Sequence, residues 1–244
     1  MFPYRDDNPT LETPVVTLLL IAVNAAVWIL VQGMGQDPAL ARSVCELGLI
    51  PGEFLGRVAP GTSLPLSPGE VCVLGVERHW FAPLTSMFLH GGWLHLIGNM
   101  WFLWVFGNNV EDSQSHVRFL IFYLLSGLAA AATQTLVNPN SLAPMVGASG
   151  AISGVMGAYV ILYPRVRVHM LVFLFVFVTR IVVPAYLMLG YWFLLQLLGG
   201  SMATGEGGVA FWAHVGGFVA GAVLINIFKD PDLVQRHRAL ARYV

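Results

Sequence analysis

Ser149 stands between glycines in the stretch from Pro144 to Gly154, PMVGASGAISG, at the edge of a long apolar run. A serine hydroxyl is a weak nucleophile alone and a strong one when a neutral imidazole takes its proton. The chain offers such a base in His214, within AHVGG at 213–217. More polar groups interrupt HGGWLHLIGN at 90–99, which holds His90, His95 and Asn99. His95 and Asn99 are four residues apart, so on a helix they project from one face. An amide and an imidazole N–H in that position suit a developing oxyanion, and the Ser149 backbone N–H, near a helix start, is a third donor. His90 lies nearer the mouth of such a site, where it would bond backbone or help to admit water, and takes no chemical step.

Each of these residues has a purely structural alternative. Gly147, Gly150, Gly154 and Gly157 place small residues on one helix stripe, and Gly150-x-x-x-Gly154 is a pattern for close helix contact. On that view Ser149 caps or back-bonds its helix, and His214 is a buried imidazole bonded to a backbone carbonyl. Metal ligation by His90, His95 and His214 is the weaker rival, since zinc sites add a Cys or a carboxylate or show closer His spacing. No metal and no cofactor is expected. What favours chemistry is that Gly217 and Gly221 follow His214 at i+3 and i+7. Their small face invites close approach by the glycine face that carries Ser149. No carboxylate lies inside an apolar run to orient His214, and Glu206, nearest in sequence, sits in the loop GGSMATGEGG. The residues therefore support a Ser–His pair without a third member.

The elements that must position these groups are legible in composition. Of 244 residues, 57% are hydrophobic and only 10% charged, far below the roughly 25% charged of soluble domains. A net charge of −1 without a basic cluster argues against a nucleic-acid partner. Crossing the roughly 30 Å hydrocarbon layer takes about 20 helical residues. Six runs qualify, at about 13–32, 91–110, 116–137, 148–164, 181–199 and 209–228. They predict a six-span domain over 13–228, a cytoplasmic N-terminal segment over 1–12 and a cytoplasmic tail over 229–244. With an even span count, Arg5, Arg118, Arg165, Arg167, Arg180, Lys229, Arg236, Arg238 and Arg242 share one side, against Arg42, Arg57 and Arg78 on the other. That bias puts both termini in the cytoplasm. The start, MFPYRDDNPTLE, carries three acids against one Arg, so the first span reads as a retained anchor rather than a cleaved signal.

The segment from about 33 to 90 is the one large stretch between spans, and Trp80, Phe81, Phe88 and Trp93 near its end suit a membrane–water boundary. Cys45 and Cys72 both lie in it, on the extracytoplasmic side where a disulfide can persist, so a bridge between them is expected, with two independent thiols as the alternative.

Together, Gly147-Ala148-Ser149-Gly150, His214 in AHVGGFVAG and the His90/His95/Asn99 pattern closely resemble the rhomboid intramembrane serine proteases, over nearly the whole chain. The resemblance implies an all-α membrane protein, a six-transmembrane-helix rhomboid-like bundle with a long membrane-associated first loop. It implies Ser149 as nucleophile and His214 as base, and an oxyanion hole drawing on His95, Asn99 and the Ser149 amide. Gly147, Ala148 and Gly150 would line the site, while Gly154, Gly217 and Gly221 would pack helices. Glu111, in FGNNVED, matches a structural acid that ties loop ends, and 200–208 matches a cap over the site. The implied activity is hydrolysis of peptide bonds in transmembrane protein substrates within the lipid bilayer of a cell membrane, with a site open to the extracytoplasmic side. An inactive rhomboid-like protein that binds client helices is the alternative, and a small transporter a more distant one. Two departures stand out. Ser153 occupies a position where relatives carry an aromatic residue against the catalytic His, leaving another ring such as Trp212 to orient His214. HWFAPL keeps Trp80 of a Trp-Arg pair but lacks the Arg.

Overall fold

Hydrocarbon offers backbone amides no partners, so long apolar runs must satisfy their own hydrogen bonds. In the computed structural model, which describes residues 2–75, 79–174, 177–202 and 209–241, a helix forms within each of the six apolar runs. Strand β1 (Phe2–Asp6) leads to α1 (Val15–Leu30). The following segment carries α2 (Ala39–Leu47), α3 (Pro51–Phe54), the hairpin β2 (Thr62–Ser67) and β3 (Glu70–Leu74), and α4 (Ala82–Thr85). Then come α5 (Trp93–Asp112), α6 (His116–Val137) and α7 (Ser149–Leu162). A second hairpin, β4 (Arg167–Leu174) and β5 (Phe177–Pro184), precedes α8 (Ala185–Met202), α9 (Phe211–Phe228) and α10 (Pro231–Ala241). Among the described residues, α6, α8 and α9 are long and apolar enough to cross a membrane, and α1 and α7 are shorter apolar helices. Arg78, Arg242, Glu206 and most of the expected cap, 203–208, lie outside the described residues.

The expectation of an all-helical chain needs correction. β1, β4 and β5 form a three-stranded antiparallel sheet with β4 in the middle, and β2 pairs with β3. Residues 181–184, expected to open the fifth span, finish β5, and α8 starts at Ala185. The reason is chemical: 171–183 is dense in Val, Phe, Ile and Thr, side chains that pack well on a pleated strand. The described parts of the flanking segments carry structure of their own. β1 joins the sheet, and α10 buries His237.

α7 is the axis of the bundle, buried from Gly150 through Tyr159. It packs on α5, α6, α8 and α9, most extensively on α9. Glycine permits that contact. A Cβ at Gly217 would lie 2.0 Å from the Gly150 carbonyl oxygen, and one at Gly221 would lie 2.0 Å from that of Gly154. The two backbones touch where any side chain would hold them apart.

Charged side chains tie the ends of this bundle. Glu111, fully buried at the end of α5, accepts from the N–H groups of Val16 and Thr17 at 2.8 Å each and from the Thr17 hydroxyl at 2.7 Å. A carboxylate from one helix thus caps the bare N-terminus of another, where the helix dipole favours negative charge. His116 Nδ1 sits 2.6 Å from the same carboxylate. Asp112 accepts from the Leu11 and Glu12 N–H groups. Glu111 therefore ties segment ends together, in line with the structural part the resemblance assigns it. On the other flank, Cys45 and Cys72 are joined as a disulfide. Paired backbone bonds between Leu49 and Met145 fasten this segment to the approach to Ser149.

β1 is held partly by Asp6, whose carboxylate accepts from the Tyr159 hydroxyl. Burial pushes the Asp6 carboxyl up to about 6, outweighing the Tyr159 hydrogen bond that acts the other way. The folded state then holds a proton that the unfolded segment has already lost, so docking of β1 weakens as pH rises from about 4 through about 6. Hydrogen exchange at residues 2–7 should accelerate across that range, and Asp6→Asn should flatten the dependence. Exchange that slows with rising pH after correction for its intrinsic rate would contradict this.

Candidate active site

Ser149 is the first residue of α7, and its placement starts with Gly147. That glycine has a φ of +129°, which side-chain-bearing residues rarely adopt. A Cβ there would also lie 2.8 Å from His95 Nε2 and 3.5 Å from Ser149 Oγ. The Gly147 N–H bonds the Ser86 carbonyl at 2.9 Å, fixing the turn that delivers the serine. Ala148, fully buried, is the cap residue. Ser149 itself caps nothing: no side-chain cap bond forms at this helix start, and its hydroxyl faces α9. As the first helical residue, its N–H has no carbonyl four residues back within the helix.

His214 lies in the first turn of α9, one turn before Gly217, so the close contact of α7 and α9 carries the ring over Ser149. Its Nε2 is 2.8 Å from Ser149 Oγ. Gln134 of α6 accepts from the Ala213 N–H at 3.2 Å, and a Cβ at Gly216 would strike the Thr133 side chain at 2.1 Å. Both contacts hold the start of α9 against α6.

His95 and Asn99 project from α5 toward the same place. The Gly91 N–H donates to His95 Nδ1 at 3.3 Å. A neutral ring accepting at Nδ1 carries its proton on Nε2, and Nε2 is the nitrogen beside Gly147 and Ser149. The Asn99 amide nitrogen is buried and has no hydrogen-bond partner among the described residues. His95 and Asn99 line, with Ser149, His214, Trp192 and Phe102, a cavity of about 220 Å³. A second cavity, of about 300 Å³, reaches Ser149 and His214 past Met87, Gly127, Gly150 and Val209. His90 is fully buried, with its ring edge-on to His95 at 5.1 Å between centroids. Its backbone is clamped by Gln32, which accepts from the His90 N–H at 2.8 Å and donates to its carbonyl at 2.9 Å.

The structure thus brings Ser149, His214 and His95 to the walls of both cavities, with Asn99 in the wall of the smaller and Gly147 and Gly150 in that of the larger. Gly154 and Gly157 pack against α6 and α9 behind them, whereas Gly147 lies outside the helix and not on its stripe. Two neighbours of His214 escaped the sequence reading. Gln196 of α8 places Oε1 2.8 Å from His214 Nδ1. Trp192, one turn earlier, stands 5.7 Å from the imidazole, ring centre to ring centre. The ring against His214 is therefore Trp192; Trp212 stands against Gly200 instead. Ser153 turns its hydroxyl back to the Ser149 carbonyl at 2.6 Å. A lone Gln in an apolar helix carries no local pattern that would have marked it.

A family model described as the Rhomboid domain matches residues 77–230. Rhomboid-like protein 11, chloroplastic, of Arabidopsis thaliana is 37% identical over 82 residues, covering 34% of this chain and 29% of its own length. Rhomboid protease GluP of Bacillus subtilis (strain 168) is 35% identical over 150 residues, covering 61% of this chain and 27% of its own length. The chain spans less than a third of the length of either. Putative rhomboid protease YdcA of the same bacterium is 28% identical over 146 residues, covering 60% of this chain and 61% of its own length.

The site depends on the glycine contact. Gly217→Ala should destabilise the fold by about 1–3 kcal/mol, as forced overpacking does. Gly190, whose Cβ would meet nothing within 4 Å, is the control. Thermal unfolding in detergent should show a lowered midpoint for Gly217→Ala and little change for Gly190→Ala. Equal midpoints would contradict the contact's role.

Proposed function

Because the chain belongs to the rhomboid family, whose members act on membrane-protein substrates within the bilayer, we propose that it is an intramembrane serine endopeptidase with Ser149 as nucleophile and His214 as base. The observation that carries this is the 2.8 Å contact between Ser149 Oγ and His214 Nε2, at the wall of two cavities that His95 also lines, the smaller of them lined by Asn99 as well.

The chain is a multi-pass membrane protein, and six spans formed by α1, α5, α6, α7, α8 and α9 are proposed for residues 13–228. Both termini then face the cytoplasm and the site opens to the other side, as the Arg and Lys bias favours. With 14 residues, α7 is about 21 Å long, short of the roughly 30 Å hydrocarbon layer. Its start therefore lies sunk toward the interior, and water reaches Ser149 through the cavities above it. A substrate helix unwinds locally to expose a carbonyl, entering between α5 and α8 past Phe102 and Trp192.

In the reaction, Ser149 Oγ attacks the scissile carbonyl while His214 Nε2 takes its proton. Negative charge on the carbonyl oxygen is met by His95 Nε2–H, the Asn99 amide N–H and the Ser149 backbone N–H. These donors are fixed before the charge develops, which is what makes such a hole effective. The imidazolium passes its proton to the departing amine, and water releases the acyl group with His214 again as base.

Purified Ser149→Ala should fold normally and lose cleavage of a transmembrane reporter; undiminished cleavage would refute the nucleophile. Asn99→Ala should raise the barrier by about 2–4 kcal/mol, read as a drop in kcat with KM nearly unchanged. A rise in KM with kcat unchanged would demote Asn99 to substrate binding.

A further inference from the structure

We propose that Gln196 is a positioning residue that holds His214 in the one tautomer able to accept the Ser149 proton, extending the pair to a Ser149–His214–Gln196 line. This deepens, and rests on, the protease reading of the same site. His214 is engaged at both nitrogens, Nε2 to Ser149 Oγ and Nδ1 to Gln196 Oε1, each at 2.8 Å.

The next partner in the line sets which end of the amide faces the ring. Gln196 Nε2 lies 3.4 Å from the Trp192 carbonyl oxygen. A carbonyl only accepts, so the amide NH₂ turns toward it and Oε1 is left for the imidazole. An amide oxygen also only accepts, so Nδ1 must carry the ring's single proton. The lone pair then sits on Nε2, facing the serine hydroxyl. Each link is set by the one before it: the backbone carbonyl, which can only accept, orients the amide, and the amide oxygen fixes the imidazole tautomer.

Gln196 is 8% exposed, and burying an amide within an apolar helix is costly unless its ends find partners. Both ends have partners here, one on its own helix and one on the base. Trp192 adds the second constraint, its ring inclined at 39° to the imidazole. Ser153, one turn after the nucleophile, bonds its own helix and offers the base no ring. Orientation of His214 therefore comes from α8. A neutral amide orients the ring as a carboxylate would, without placing a full negative charge beside it.

The test is nitrogen-15 NMR of the imidazoles together with reporter cleavage, on the full chain in detergent or bilayers. In the unmodified protein His214 should carry its proton on Nδ1 with Nε2 bare; a proton on Nε2 would overturn the proposal without any variant. Gln196→Leu should lower kcat roughly ten- to a hundredfold, since a wrong tautomer disables the base, with KM within about twofold. It should also mix the tautomers. Gln196→Glu, which keeps an acceptor oxygen, should restore both the Nδ1-protonated signal and most of kcat. A packing role alone would lower thermal stability and leave the tautomer as it was, and that result, or a kcat for Gln196→Leu within about twofold of the parent, would overturn the proposal. Failure of the protease reading looks different: cleavage would persist in Ser149→Ala while the His214 signal still reported its partner.

Discussion

The approach of two backbones at glycine is the constraint from which the rest of the site follows. Gly217 and Gly221 face the carbonyls of Gly150 and Gly154 at distances that leave no room for a methyl group. Lipid chains supply no hydrophobic force between helices, so such association relies on close packing and backbone contact. Ser149 stands one residue before Gly150, and His214 one turn before Gly217. The same contact that joins α7 to α9 therefore places hydroxyl and imidazole together. Gly154 also needs space on its other side, where a Cβ would meet Ser126 of α6. The central helix is thus gripped on two sides, by the backbone of α9 and by a small side chain of α6.

Around that axis, polar side chains mostly secure segment ends. Glu111 caps α1, Asp112 holds the chain entering it, Gln32 clamps the backbone of His90, and Gln134 anchors the start of α9. Asn99 differs from these. Its amide nitrogen is buried yet unpartnered among the described residues, and the residue lines the cavity beside Ser149. An unpaired buried donor is costly, and on the proposed reading its partner is the oxygen on which charge develops. His95 is fastened at Nδ1 by the Gly91 N–H, which leaves Nε2 to carry the ring proton beside Gly147.

Sequence spacing reveals this site where the relevant contacts are local. The four-residue step from His95 to Asn99 and the glycines after His214 are visible because helical periodicity converts spacing into a shared face. Gln196 lies 18 residues from its partner, in another helix and across a loop. Only packing joins the two, so no spacing could announce it. The β4–β5 hairpin was hidden for another reason: a continuous apolar run of this length suits a buried helix or a strand equally. Residues 2–6 read as a tail because their contribution to the sheet depends on β4, some 165 residues later. Glu111 needed the family resemblance to be noticed, since its partners are backbone amides that exist only in the folded bundle.

The most direct test of the paired serine and histidine is where a fluorophosphonate attaches and what it requires. Peptide mass spectrometry after treating the membrane-reconstituted protein should find one adduct, on Ser149, and no adduct in His214→Ala. An adduct confined to another residue, or labelling of Ser149 at an undiminished rate without the imidazole, would contradict the activated pair.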